Sequence, residues 1–229
     1  MLVLISIWIL KKFFPLYSKP LYDRRSLFKF LHLPRITALI AFFLLSSFLI
    51  YSQDKTLTYD IFYKGNIVGN MQINKRVNEE NVYLMMVSRV RMKIFTSLRV
   101  YIEEQSLFNK GKLMYTCVYR EVNGKVKANQ KTRASGEVYQ IDSEGKTGTI
   151  SSRSINSNLI LLYFYEPLQV RQVYSGNFQQ FVDVKPVGDH TYRIDLPDGN
   201  YNFYTYKNGV CSRVEVHNSM YTIRMELKA

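Results

Sequence analysis

The chain has 229 residues, a formal net charge of +13, and two cysteines, Cys117 and Cys211. One cysteine pair without a spacing motif excludes a zinc cluster or a thioredoxin-type redox site. No block of Lys and Arg and no recognition-helix pattern is present, which argues against nucleic acid as the partner of all this positive charge.

Part of the charge belongs to topology. Residues 1–53 carry seven basic groups (Lys11, Lys12, Lys19, Arg24, Arg25, Lys29 and Arg35) against one acid, Asp23. They precede the uncharged run from Ile36 to Tyr51, ITALIAFFLLSSFLIY. A spanning helix needs about 20 apolar residues and a signal-peptide core about 7–15. The run falls between, so its length leaves a cleaved signal and a retained anchor both open. Positive flanks stay cytoplasmic, so the chain from about residue 54 onward is expected to be exported, to the periplasm or cell envelope. The cleavage site is weak, because Ile50 stands three positions before a cut after Ser52. Met1–Leu10 is a second apolar run, too short to span; residues 1–35 are either a basic N-terminal segment or sequence upstream of the true start. The expected division is 1–35, 36–53 as signal peptide or membrane anchor, and 54–229 as a single antiparallel β domain of sufficient length for a sizeable core. The basic excess within that domain suits anionic lipid head groups or an acidic partner.

From Thr56 the pattern has a period of two. Leu57, Tyr59, Ile61 and Tyr63 share one face, with Thr58, Asp60 and Lys64 opposite. After a turn at Gly65-Asn66, Ile67, Met71 and Ile73 are expected on one side and Asn70, Gln72 and Asn74 on the other. A long strand follows, with Val82, Leu84, Met86, Val90, Met92 and Ile94 apolar and Arg89, Arg91 and Lys93 in a row opposite. Leu98, Val100 and Ile102 continue the alternation. Asn123-Gly124 is the strongest hairpin signal, because both central residues of a type I′ turn need positive φ. Asn156–Tyr165 breaks the pattern. Ser157 as cap and Pro167 as stop predict a short helix there, packed on the concave side of the sheet, with a buried central strand as the competing reading. Strands resume at Phe178 and run to Leu227, with turns at Gly188-Asp189, Asp198-Gly199 and Asn208-Gly209. The fold class predicted is mainly β: an antiparallel meander curved into a barrel or half-barrel, preceded by an N-terminal hydrophobic helix.

Two stretches carry a resemblance. Tyr59–Gly69, YDIFYKGNIVG, resembles the opening hairpin of secreted β-rich proteins of Bacteroidota grouped as a domain of unknown function. Leu196-Pro197-Asp198-Gly199 through Tyr204–Cys211 is similar to their closing strands. The resemblance covers residues from about 56 to 229. It implies a curved half-barrel like those of envelope lipoprotein carriers, and it transfers no site residues.

The chemistry searched for is sparse. His190 in the Gly188-Asp189-His190 turn reads as solvated, and His217 ends a strand. Glu103 and Glu104 are adjacent in a strand, so they face opposite sides and cannot share a proton. Glu79-Glu80 lies in a turn. No nucleophile elbow, phosphate-cradling Gly loop or metal-ligand spacing is found. No enzymatic activity and no cofactor are therefore expected. The cysteines read as unpaired, partly buried thiols, with a Cys117–Cys211 disulfide as the alternative that export would permit. The row Arg89, Arg91 and Lys93, spaced about 7 Å apart along a strand, is the one candidate site, a contact for an anionic surface; a merely solvated outer face is the alternative.

Taken together, the sequence predicts a non-enzymatic envelope protein that binds a lipid or hydrophobic ligand. The alternatives are a structural or assembly component that binds another envelope protein through a strand edge, and a small outer-membrane barrel.

Overall fold

The computed structural model describes residues 54–94, 96–151 and 154–228. The basic segment, the apolar run at 36–51 and the expected N-terminal helix lie outside the described residues. Among the described residues no helix is long and apolar enough to cross a membrane.

Alternation does what it predicts. Fourteen strands form one antiparallel sheet among the described residues. The first eight are β1 (Lys55–Tyr63), β2 (Asn66–Asn78), β3 (Asn81–Lys93), β4 (Ser97–Asn109), β5 (Lys112–Val122), β6 (Lys125–Ser135), β7 (Val138–Ser143) and β8 (Lys146–Ser151). The remaining six are β9 (Gln172–Ser175), β10 (Gln180–Gly188), β11 (Thr191–Asp195), β12 (Tyr201–Lys207), β13 (Val210–His217) and β14 (Thr222–Leu227). Asn123-Gly124 and Asn208-Gly209 both have positive φ at their two residues, at 50° and 79° and at 53° and 74°, the I′ geometry that matches strand twist.

The sheet order is β8-β7-β6-β5-β4-β3-β2-β1-β14-β13-β12-β11-β10-β9. The first and last strands therefore pair at its centre, with Tyr59 opposite Leu227 and Ile61 opposite Met225. Two wings extend from that seam, β1–β8 on one side and β14–β9 on the other. Their far ends are joined by a crossover through residues 154–171. The sheet is open, with β8 and β9 as its edges, so the closed-barrel form of the prediction is corrected. At that edge β9 meets the crossover and β6, not β8. Tyr174 makes a parallel bridge with Asn158 of the crossover. Its hydroxyl reaches Thr132 Oγ1 of β6 at 2.9 Å, and Gln179 Nε2 donates to the carbonyls of Lys131 and Asp142. The outer face carries Asn70, Gln72, Arg89, Arg91, Lys127 and Arg133, and the inner face is apolar. A spanning barrel requires closure and an apolar exterior, so this arrangement does not support the small outer-membrane barrel.

The crossover fills part of the inner face. Ile155, Ile160, Leu162, Tyr163 and Phe164 are buried within one cluster shared with both wings. The helix expected at Asn156–Tyr165 is instead a single 3-10 turn, Leu161–Tyr163. Its neighbours are pinned in other conformations. The Ile155 carbonyl accepts from Leu113 N–H and Tyr174 N–H donates to the Ser157 carbonyl, which keeps 155–158 extended. Glu166 N–H donates to the Gly209 carbonyl, and Pro167 follows. Too few residues remain for an α-helix to propagate. Asn158, rather than Ser157, caps the turn: its Oδ1 accepts from Leu161 N–H and its Nδ2 donates to Ser106 Oγ at 2.9 Å. Tyr206 and Tyr59 hydroxyls donate to the carbonyls of Leu162 and Cys211.

A second correction concerns Ile67. Ile61 pairs with Gly69 but Phe62 pairs with Ile67, so Val68 is inserted as a bulge. One extra residue reverses the pleat, and Ile67 is 62% exposed rather than inward with Met71. Gly69 sits where a Cβ would overlap the Arg89 carbonyl oxygen of β3. Because that obstacle is backbone, Gly69→Ala is expected to destabilise the fold by about 2 kcal/mol or more. Urea unfolding followed by far-UV circular dichroism checks this; an unchanged midpoint would contradict the close packing of β2 on β3.

Candidate functional site

The inner stripe of β4 runs Leu98, Val100, Ile102, Glu104, Ser106 and Phe108. The crossover covers its far end, where Asn158 holds Ser106 and Ser106 shares a 2.9 Å hydrogen bond with Thr116. Short of Ile160 and Tyr163 the inner face is not filled. A cavity of about 440 Å³ lies there, within the range of small-molecule sites. Its walls come from both wings: Met86, Val90 and Met92 of β3, Ile102 of β4, Val118 of β5, and Tyr204, Val216 and Met225 of β12–β14. Five of the chain's eight methionines line it, Met71, Met86, Met92, Met220 and Met225. Unbranched thioethers adapt to differently shaped apolar partners. The lining reaches the surface at Asp198 and Met220, both exposed. A larger groove of about 750 Å³ is bounded by both polar and apolar side chains, among them Asn74, Arg76, Leu84, Met85 and Gln105.

The lining is mainly apolar, but several polar side chains enter it. Glu104 Oε1, Arg120 Nε, Ser175 Oγ and Asn202 Oδ1 are buried without a hydrogen-bond partner among the described residues, and all four residues line the cavity. Each such orphan costs about 1–3 kcal/mol. Glu104 is the most extreme. It is 7% exposed, and burial pushes its carboxyl up to about 8. Glu103, one residue away, faces outward. It accepts from the Tyr101 hydroxyl at 2.6 Å and from Gln105 Nε2 at 2.8 Å, and these bonds lower its pKa. The adjacent pair thus divides between the two faces, as the pleat requires. Gly176 of the β9–β10 turn closes over Glu104; a Cβ there would lie 3.2 Å from Oε1 and 3.0 Å from Val118 Cγ2.

The predicted row Arg89, Arg91 and Lys93 lies exposed on the outer face of β3, behind the cavity-lining Ser88, Val90 and Met92. Arg89 stacks 5.4 Å over the Tyr101 ring, and Arg91 faces Arg99 across the β3–β4 ladder. None of the three lines the cavity. His190 is not simply solvated: its Nδ1 pairs with Glu166 Oε1 at 2.9 Å, which raises its pKa. His217 stacks on Tyr201 with ring centroids 4.7 Å apart. Both cysteines are free, Cys211 buried and Cys117 half-buried. Among the described residues no group of three or more His, Cys, Asp or Glu side chains could hold a metal ion.

Glu104 and Arg120 were missed as site residues. A signal existed: Glu104 occupies an even position in the apolar stripe Leu98–Phe108, where period two assigns it inward.

A family model for a domain of unknown function, DUF6134, matches residues 59–228. The chain belongs to that family. Its description names no activity, so function rests on the geometry above. No curated protein and no solved structure matches the chain.

The Glu104 shift makes stability depend on pH. Below about 4.5, its ordinary value, the carboxyl is protonated in folded and unfolded chains alike. As pH rises from there the unfolded chain loses the proton first, and the folded chain holds it until about 8. Stability therefore falls across that window, by on the order of 3 kcal/mol at neutral pH. Glu104→Gln is expected to remove this slope. Urea unfolding of both proteins at a series of pH values checks it, and parallel curves would contradict the buried, protonated acid.

Proposed function

We propose that the β domain is a non-enzymatic binding protein for a lipid or other hydrophobic ligand, carried in the cavity between the two wings. One observation carries this: an apolar, methionine-lined space of about 440 Å³ that reaches the surface and contains buried polar atoms without partners. A structural core would collapse onto such a space or satisfy those atoms. The basic flank and apolar run of residues 11–51 support placing the domain on the far side of a membrane, in the cell envelope, where such ligands are abundant. Arg89, Arg91 and Lys93 support a contact with an anionic lipid surface, since they back the strand that forms one cavity wall.

A second reading, an assembly component, has one observation in its favour. β8 is an edge strand with five of its six residues exposed, and a partner strand can add to such an edge.

Full-length protein irradiated with photoactivatable acyl probes, a free acid and its methyl ester, should be labelled by at least one of them on cavity peptides containing Met92, Ile102 or Met225. Val100→Trp, which projects bulk into the cavity, should reduce labelling at least about tenfold while leaving the unfolding midpoint close to wild type. Labelling confined to the outer face, or unaffected by Val100→Trp, would overturn the carrier reading. Separately, replacing Arg89, Arg91 and Lys93 with Glu should abolish sedimentation with phosphatidylglycerol-containing vesicles and leave phosphatidylcholine controls unchanged. Undiminished sedimentation would make the row a solvated face.

A further inference from the structure

The position of Glu104 narrows the chemistry of the ligand, given the carrier reading above. The cavity has a closed end and an open end. Met86, Glu104, Val118, Tyr204 and Met225 stand at the closed end, against Ile160 and Tyr163 of the crossover. Leu98 and Val122 are half-buried and Asp198 and Met220 exposed, which marks the side of the lining toward the surface. Glu104 faces Val118 across the β4–β5 ladder and Met86 across the β3–β4 ladder. Among the described residues no cation is paired with it and its Oε1 has no hydrogen-bond partner. The titratable groups that face it from the packed elements are the phenols of Tyr163 in the crossover, Tyr174 of β9 and Tyr204 of β12. Burial raises all three, so they stay neutral across the working range. Arg120 on β5, opposite Ile102, is the cation in the same cavity and lies one pleat nearer the opening.

We propose that the cavity takes an acyl compound polar end first, with an uncharged carbonyl or ester oxygen accepting a hydrogen bond from the Glu104 carboxyl. An acid in an apolar pocket without a counter-ion keeps its proton and becomes a donor. A ligand carbonyl satisfies that donor without bringing a charge into the closed end. A free carboxylate would be drawn to Arg120, one pleat nearer the opening, and not to Glu104, and an amine would have to be desolvated alongside the ionised acid. The apolar tail then lies along Ile102, Val100 and the methionines toward the surface.

The affinity follows from the proton. Only the protonated protein supplies the donor, so affinity is full below the carboxyl's raised value of about 8 and falls above it. Between about pH 6.5 and pH 9.5 the loss amounts to about thirtyfold. Glu104→Gln keeps a donor and has no proton to lose.

The test compares three photoactivatable probes of equal chain length, a methyl ester, a free fatty acid and a fatty amine, on full-length wild-type and Glu104→Gln protein. The expected result is ester labelling that weakens about thirtyfold from pH 6.5 to pH 9.5 in wild type and stays constant in Glu104→Gln. Ester binding independent of pH in wild type would overturn the proposal while leaving the carrier reading intact. So would tighter binding of the amine, or tighter binding of the acid that Arg120→Gln removes. Absence of cavity labelling by all three probes would overturn both.

Discussion

A sheet with one apolar face has to bury that face, and among the described residues there is no second sheet or helical layer to bury it against. The constraint is met by the chain's own crossover. Because β1 pairs with β14, the two wings grow outward from a central seam, and the segment linking their far edges passes over the inner face. Tyr163 then sits between Tyr59 and Tyr204, with ring centroids 5.4 Å and 5.8 Å away in edge-to-face contact. Tyrosine suits this place because each ring fills volume while its hydroxyl finds a backbone carbonyl, as Tyr59 and Tyr206 do.

The crossover is short, and that decides the rest. Residues 155–164 cover part of the inner face, and beside them a space of about 440 Å³ is walled mainly by apolar side chains and not filled by them. Well-packed interiors do not keep such space without cause. Nor do they keep a carboxyl, a guanidinium nitrogen, a hydroxyl and an amide oxygen buried and unpaired around it. Cost in stability at a concave site is the mark of a surface shaped for something other than the fold. The division of Glu103 and Glu104 between the faces makes the point within one dipeptide. The outward acid is stabilised as an anion by two donors, and the inward acid is held neutral by its surroundings.

Much of the fold is legible in the residues. Alternation at Leu57–Ile61 and at Val82–Met92, and the Asn-Gly turns, specify strands and hairpins through local geometry, and those stand in the structure. What is not legible is non-local or depends on one inserted residue. Nothing near Tyr59 announces that Leu227 will pair with it. Val68 reverses the pleat and sends Ile67 outward, although the letters on either side are those of an ordinary strand. Asn156–Tyr165 has the composition of a buried helix, but hydrogen bonds from Leu113, Tyr174 and Glu166 fix its two ends in extended and turn geometry. The cationic row on β3 was readable as a face but not as the back of a cavity wall. Glu104 was readable as inward-facing, yet its environment depends on Gly176 and Tyr204, which are distant in the chain.

The central claim is that the space beside the crossover is excluded from water well enough to keep Glu104 uncharged. Carbon-13 NMR titration of the Glu104 side-chain carboxyl, assigned by loss of its signal in Glu104→Gln, measures this directly. The account predicts a midpoint near 8. A midpoint in the ordinary carboxylate range, about 4–5, would show a solvated acid and contradict it.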